Sequence, residues 1–387
     1  MVKKLTLSIL FFFLLSNTGF NQSTTLSSSA QINILTCGPG SSMTSRFGHT
    51  GLEVIDPELD LHEVYNFGTF NFNIPFFYVK YLRGSLKYYL GIKSYEGFLE
   101  RYQEREDRTI YRQVLDLDSL QVQTIYDLLQ EASLPENKYY IYDFIRWNCT
   151  TKTKDLMDRA IGSVVRYDTS FVDRNKTYRN YLNTHLSRGA LTTVGVNLIF
   201  GNKTDKVPSF EQYSFLPDNY KAALDHAFIG EKPLVKRTET LHVRTAAGES
   251  FLKRSFIVWG IVLFFFFLTL WEYRRKMDFR KLDILLFSIA GLLSLVLIFM
   301  WLFSSHDPAT DNPDLLWLTP LHFIFVFNLK KPRFSFYYAL ILGLVMVIML
   351  GYYLFVDFQD MGVFALLLIL LIRLARRGVT GFETFKP

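Results

Sequence analysis

Cysteine is scarce in this chain, with two in 387 residues, Cys37 and Cys149. That excludes a disulfide-dense scaffold, and no Cys/His group has the spacing of a metal site. Neither a metal nor a cofactor is expected. Internal repeats are lacking, and low complexity is confined to a Ser/Thr tract near residue 25, so a repeat array is excluded. Residues 31–250 lack long apolar runs and read as an ordinary globular sequence. Lys and Arg are missing from two stretches, "SSHDPATDNPD" (304–314) and "DFQD" (357–360), which carry acids.

The apolar residues are concentrated after residue 255, in segments 256–273, 282–303, 315–329, 334–355 and 361–375. A span needs about 20 apolar residues, with about 17 as a lower limit. The first, second and fourth meet this; the third and fifth are short, and the fifth carries Arg373. Basic connections, "RRKMDFRK" (274–281) and "KKPR" (330–333), alternate with the two acidic ones. Lys and Arg mark cytoplasmic loops, so the preceding residues lie outside the inner membrane. The net charge of +6 thus reports membrane orientation, and no nucleic-acid partner is expected.

The N-terminus, "MVKKLTLSILFFFLL" followed by polar residues, has the layout of a secretory signal without a clean cleavage site. Residues 1–22 are either a signal peptide or an N-terminal anchor, and both would export the domain after them. The expected plan is an exported α+β domain (31–235), a tether (236–255), an all-α membrane domain of about five helices (256–377) and a cytoplasmic tail (378–387). Within the domain, "GHTGLEVID" and "LHEVYNFGTFNF" predict a hairpin around the "DPELD" turn. Alternation places Thr50, Leu52 and Val54 on the buried face, with His49, Gly51 and Glu53 opposite. "SLQVQTIYDLLQEASL" and "FLPDNYKAALDHAF" predict helices.

Cys149 follows Asn148, a favourable N-cap, and "TTKTKDLMDRAI" has helical spacing stopped by Gly162. A thiol in a first helical turn is stabilised as thiolate by free N–H groups and the helix dipole, with Lys152 and Lys154 adding positive charge. The same N–H groups can hold an oxyanion. A nucleophilic thiol needs a base, and among seven histidines His49 stands out at a strand start. Core packing of Cys149 and a Cys37–Cys149 disulfide stay open on these residues alone.

"SRFGHTGLEV", "VYNFGTFNF", "YDFIRWNCTTKTKDLMD", "GVNLIFGNKTD" and "FLPDNYKAAL", in this order, resemble the periplasmic domain of Lnb-type bacterial lipoprotein N-acyltransferases. The loop and span "HDPATDNPDLLWLTPLHF" (306–323) resembles that family's membrane half. The His-then-Cys order is similar to permuted papain-like folds of the NlpC and lecithin:retinol acyltransferase kind. The resemblance implies Cys149 as nucleophile and His49 as general base. It also implies a polar group on the next strand to orient the base: His62, with Glu63 and Asn66 as rivals. Asn148 supports the nucleophile, while Ser45, Arg46, His306 and Asn312 are candidate substrate contacts.

The function so implied is acyl transfer in an inner-membrane protein whose catalytic domain is periplasmic. A phospholipid donates an acyl chain to Cys149, and the α-amine of a diacylglyceryl lipoprotein accepts it from the thioester. A papain-like periplasmic hydrolase of cell-wall peptide or lipid ester is the alternative enzyme. A membrane sensor with a structural Cys149 is the non-enzymatic one.

Overall fold

The computed structural model describes residues 24–187, 190–245, 251–355 and 360–384. The expected signal or anchor, 1–22, lies outside these residues. Among the described residues ten strands form two antiparallel sheets: β1 (Gln31–Cys37), β2 (His49–Asp56), β3 (Leu61–Thr69), β4 (Lys87–Ser94), β5 (Ile110–Leu115), β6 (Tyr139–Ile141), β7 (Val165–Tyr167), β8 (Ala227–Ile229), β9 (Lys232–Pro233) and β10 (Val235–His242). The main sheet has the order β10-β5-β1-β2-β3-β4-β6, and β7-β8-β9 form a small second one. β10 is therefore the edge strand of the main sheet. The chain expected to be tether from 236 pairs with β5 through His242.

Among the helices, α1 (Phe77–Arg83) follows β3, and α2 (Ser119–Ser133) and α3 (Cys149–Ile161) cover one sheet face. α2 starts at Asp118 with a capping box and buries Val122, Ile125, Tyr126 and Leu129, the apolar stripe that its spacing predicts. These residues pack with Leu52, Val54, Tyr65 and Phe67 into the main core. The opposite face is not open to solvent as the alternation implied. Leu35, Cys37 and Val64 are buried there under Phe98 and Tyr102. Glu53 is fully buried and pairs with Arg112 at 2.6 Å. Desolvating that carboxylate is tolerated because Arg112, Asn33 and His62 all bond to it.

Two further helices follow: α4 (Leu191–Ile199), and α5 (Pro217–Asp225), whose Tyr220 and Leu224 pack into the main core of the sheet domain. α4 joins the membrane core through Leu198, with Val194 and Ile199 alongside. The "GVNLIFGNKTD" segment is thus packed against the membrane domain. A Cβ at Gly201 would collide with the Thr310 carbonyl, so only glycine permits this close approach.

The membrane domain contains α6 (Phe251–Arg274), α7 (Arg280–Phe303), α8 (Leu321–Asn328), α9 (Pro332–Phe355) and α10 (Met361–Glu383). Among the described residues three helices, covering 254–274, 280–303 and 332–355, are long and apolar enough to cross a bilayer. The third expected span, 315–329, is not one continuous helix. It comprises a 3-10 turn (Pro313–Leu316), a non-helical stretch and α8, which has only 8 residues. It is tied to α9 at two points. Tyr353 donates to Asp314, and the Tyr338 hydroxyl lies 3.0 Å from His322 Nδ1. Irregular backbone among membrane-crossing helices must be enclosed by protein, and Trp317, Leu318 and His322 are fully buried.

α10 runs past the expected end at 375 to Glu383, into the stretch read as tail. It carries Arg373 and Arg377 into a buried cluster with Glu272 and Asp283. The Arg373 guanidinium lies 2.6 Å from Glu272 and 2.7 Å from Asp283. Its charge therefore faces acids on α6 and α7 rather than lipid, which explains how a cationic segment fits here.

Candidate functional site

The main sheet ends, where β2 begins and β3 finishes, on a cavity of about 240 Å³. His49, Gly68 and Cys149 share its wall with Phe47, Tyr142 and Phe215. The far wall belongs to the membrane domain: Met300 near the end of α7, and His306, Pro308 and Ala309 beyond it. The cavity therefore runs from Cys149 to the end of a membrane-crossing helix.

Cys149 is the first residue of α3, held there by Asn148. The Asn148 Oδ1 accepts from the N–H groups of Thr150 (2.8 Å) and Thr151 (3.0 Å), and its Nδ2 donates to the carbonyls of Phe144 and Phe215. Two first-turn N–H groups are thus occupied and cannot serve an oxyanion. Gly68 has φ +84°, and a Cβ there would sit 3.4 Å from the Cys149 Cβ. Its left-handed backbone, which favours glycine, carries β3 past Cys149. Burial pushes the Cys149 thiol up, against the Thr50 backbone N–H and the Thr150 hydroxyl. Lys152 lies over the Tyr140 and Trp147 rings, and Lys154 pairs with Asp158. Burial thus opposes the thiolate that the helix start favours.

The His49 ring is half-buried and stacked on Tyr102, with centroids 5.2 Å apart. Its Nε2 lies 3.0 Å from Asn66 Oδ1. Asn66 Nδ2 donates to the Val64 carbonyl at 2.9 Å, which fixes the amide so that its oxygen faces the ring. Nε2 must then carry the proton, leaving Nδ1 as the basic nitrogen. Burial, aided by the Arg108 cation, lowers the pKa of His49 to about 3, so the imidazole is neutral. In this arrangement the sulfur's hydrogen-bond contacts are with Thr150 (3.8 Å) and Thr50, and the ring's is with Asn66. A buried thiol and a neutral imidazole share one cavity without a preformed ion pair.

His62 does not contact His49. It lies opposite Ile55, about 20 Å along β2 from His49. There it bonds Glu53 at 2.9 Å and stacks on Tyr95. Asn66 occupies the place assigned to it, and Glu63 accepts from the Tyr65 hydroxyl instead. Ser45 is buried against Ser42, and Arg46 donates to Ser187 Oγ and the Ser41 carbonyl. In that loop it is Thr44 and Phe47 that line the cavity. His306 stands on the rim with Nε2 2.7 Å from the Tyr81 carbonyl. Asn312 is buried, donating to Leu198 O and accepting from Asp314 N. It fastens α4 to the membrane domain. The two cysteines are both free, and burial pushes Cys37 up to about 12.

Sequence reasoning missed two supporting groups. Arg108 is buried and donates to the carbonyls of Gly38 and Cys37. Its guanidinium lies 5.0 Å from the Tyr102 ring that carries His49. Both come from "FLERYQEREDR", whose dense charge reads as a solvated surface.

Comparison with known proteins adds independent findings. Residues 19–184 match the model of the Lnb N-terminal periplasmic domain, and residues 247–380 match that of the Lnb transmembrane domain. No curated protein and no solved structure matches the chain. With a periplasmic sheet domain, a helical membrane domain and both models matched in order, the chain belongs to the Lnb family.

Proposed function

We propose that this membrane protein is a cysteine-dependent lipoprotein N-acyltransferase of the inner membrane. The observation that carries the reading is the cavity that joins Cys149 and His49 to the outer end of α7. His49 Nδ1 takes the Cys149 proton as the sulfur attacks an ester carbonyl of a phospholipid. The C–S bond forms, the ester C–O bond breaks, and the protonated imidazole returns the proton to the lysolipid alkoxide. The neutral α-amine of a diacylglyceryl lipoprotein then attacks the thioester. The amide bond forms, the C–S bond breaks, and the amine's proton passes through His49 to the thiolate. Splitting one acyl transfer into two steps lowers each barrier.

The neutral resting pair suits this cycle, because proton removal accompanies attack and an exposed reactive thiolate is avoided. With Thr150 and Thr151 N–H occupied, the Cys149 N–H at the head of α3 is the proposed oxyanion donor. Asn66 positions the base, and the proposed chain Cys149–His49–Asn66 follows the logic of papain-like thiol enzymes. An apolar cavity abutting the membrane suits a lipid better than a cell-wall peptide.

The test is mass spectrometry of lipoprotein N-termini after deletion of this protein and complementation. Loss of the N-acyl group, restored by the native chain and not by Cys149→Ala, is expected. Unchanged N-acylation in the deletion strain contradicts the proposal.

A further inference from the structure

Residues 72–83 are unusual for a domain surface. Phe72, Phe76, Tyr78 and Val79 are all exposed, Phe76 and Tyr78 each to 78%. No residue of α1 is buried. Phe76, which opens the helix, has φ 57°, a left-handed conformation costly for a side-chain-bearing residue. Contacts among the Phe70, Phe72 and Phe77 rings hold this shape. A contiguous apolar patch of this kind marks an interaction surface.

Its position identifies the partner. Ser305 N donates to the Arg83 carbonyl at 2.8 Å, and His306 Nε2 meets the Tyr81 carbonyl. Both residues directly follow α7, whose final turn exposes Trp301, Leu302 and Phe303. The α1 patch is therefore continuous with the lipid-facing end of a membrane-crossing helix. Lys80 and Arg83 lie in its last turn, suited to lipid phosphates at that depth. Tyr81 and Leu82 line the same cavity as Cys149, across from Met300.

We propose that residues 72–83 sit in the outer leaflet and, with the end of α7, frame a lateral entrance through which a phospholipid acyl chain reaches Cys149. This rests on the acyl-transfer reading. An amphipathic surface helix with an aromatic face binds the interface in proportion to the apolar area it buries. Without this seat, a lipid would have to leave the bilayer entirely to meet the thiol.

Two measurements on the full-length protein in phospholipid nanodiscs test it. In a Cys37→Ala, Cys149→Ala background, a nitroxide is attached at Tyr78→Cys, at Leu295→Cys on the exposed side of α7 and at Leu59→Cys in the distant β2–β3 turn. The Tyr78 label is expected to match Leu295 in favouring oxygen over a water-soluble nickel chelate. A label resembling Leu59, or one shielded from both reagents by a second protein, overturns the leaflet seat.

The second measurement compares acylation of Cys149 by phospholipid vesicles and by soluble p-nitrophenyl butyrate. The Phe76→Ser, Tyr78→Ser, Val79→Ser triple variant is expected to lose about tenfold with vesicles, the scale of one buried apolar side chain, and little with the soluble ester. Equal rates with both donors, or equal losses with both, overturn the entrance alone. Failure of the unsubstituted protein to acylate with either donor overturns the acyl-transfer reading and the entrance with it.

Discussion

Replacing Asn66 with alanine removes the acceptor that, among the described residues, faces the His49 Nε2–H, a bond of 3.0 Å. The Val64 carbonyl then loses its side-chain donor, while Tyr102 still holds the ring by stacking. Leaving a buried donor unpaired costs about 1–3 kcal/mol. The ring can instead move its proton to Nδ1, but that tautomer no longer accepts a proton from a thiol. Either way the acylation barrier rises, and the rate falls about 5- to 150-fold. The assay is the pre-steady-state rate of Cys149 acylation by a soluble ester, read by intact mass.

Asn66→Asp supplies the control. It preserves the acceptor and adds a charge that raises the imidazole pKa. Because the native pKa is held down to about 3, the base stays neutral above that value. The native rate should not decline between about pH 7 and 5 through His49 protonation. The aspartate variant should keep more activity than Asn66→Ala at neutral pH, yet lose it on acidification through that range. A loss under about twofold in Asn66→Ala, with an unchanged pH profile in Asn66→Asp, refutes the positioning role.

The same geometry sets other outcomes. Burial raises the Cys149 thiol and holds Cys37 near 12, so iodoacetamide should modify Cys149 slowly at neutral pH and faster as pH rises. Cys37 should stay unmodified in the native protein, and rapid pH-independent labelling of Cys149 contradicts a neutral resting thiol. Gly68→Ala places a Cβ 3.4 Å from that of Cys149 at φ +84°. It should cost about 1–2 kcal/mol, with a lower melting temperature and slower acylation; unchanged values oppose the requirement for a left-handed backbone there. Arg373→Leu leaves Glu272 and Asp283 short of a cation where both are fully buried. A loss of about 3–5 kcal/mol is expected, seen as a lower thermal midpoint in detergent; an unaltered midpoint opposes it.

The features legible in the sequence are those written in local pattern. Hydropathy marks the membrane passages, the stripe of Val122, Ile125 and Leu129 marks α2, and Asn148 marks the start of α3. What escaped depends on pairing between distant residues. His62 and Asn66 lie on one face of β3, and only the register Leu52↔Tyr65 puts Asn66 near His49. β10 has exposed and half-buried residues throughout, so an edge strand resembled a linker. Glu53 read as an outward charge because its partners, Arg112 and Asn33, come from other strands. The broken third passage was hidden because hydropathy counts apolar residues, not hydrogen bonds such as the one joining Trp317 to Tyr353.

The central claim is a covalent acyl group on one sulfur. Incubating the full-length protein with phospholipid vesicles, quenching in acid and measuring intact and peptide masses tests it directly. The expected result is one acyl adduct on the peptide containing Cys149, removed by neutral hydroxylamine, absent in Cys149→Ala and unaffected by Cys37→Ala. Transfer of acyl chains to a lipoprotein amine without any adduct on Cys149, or by the Cys149→Ala protein, contradicts the account.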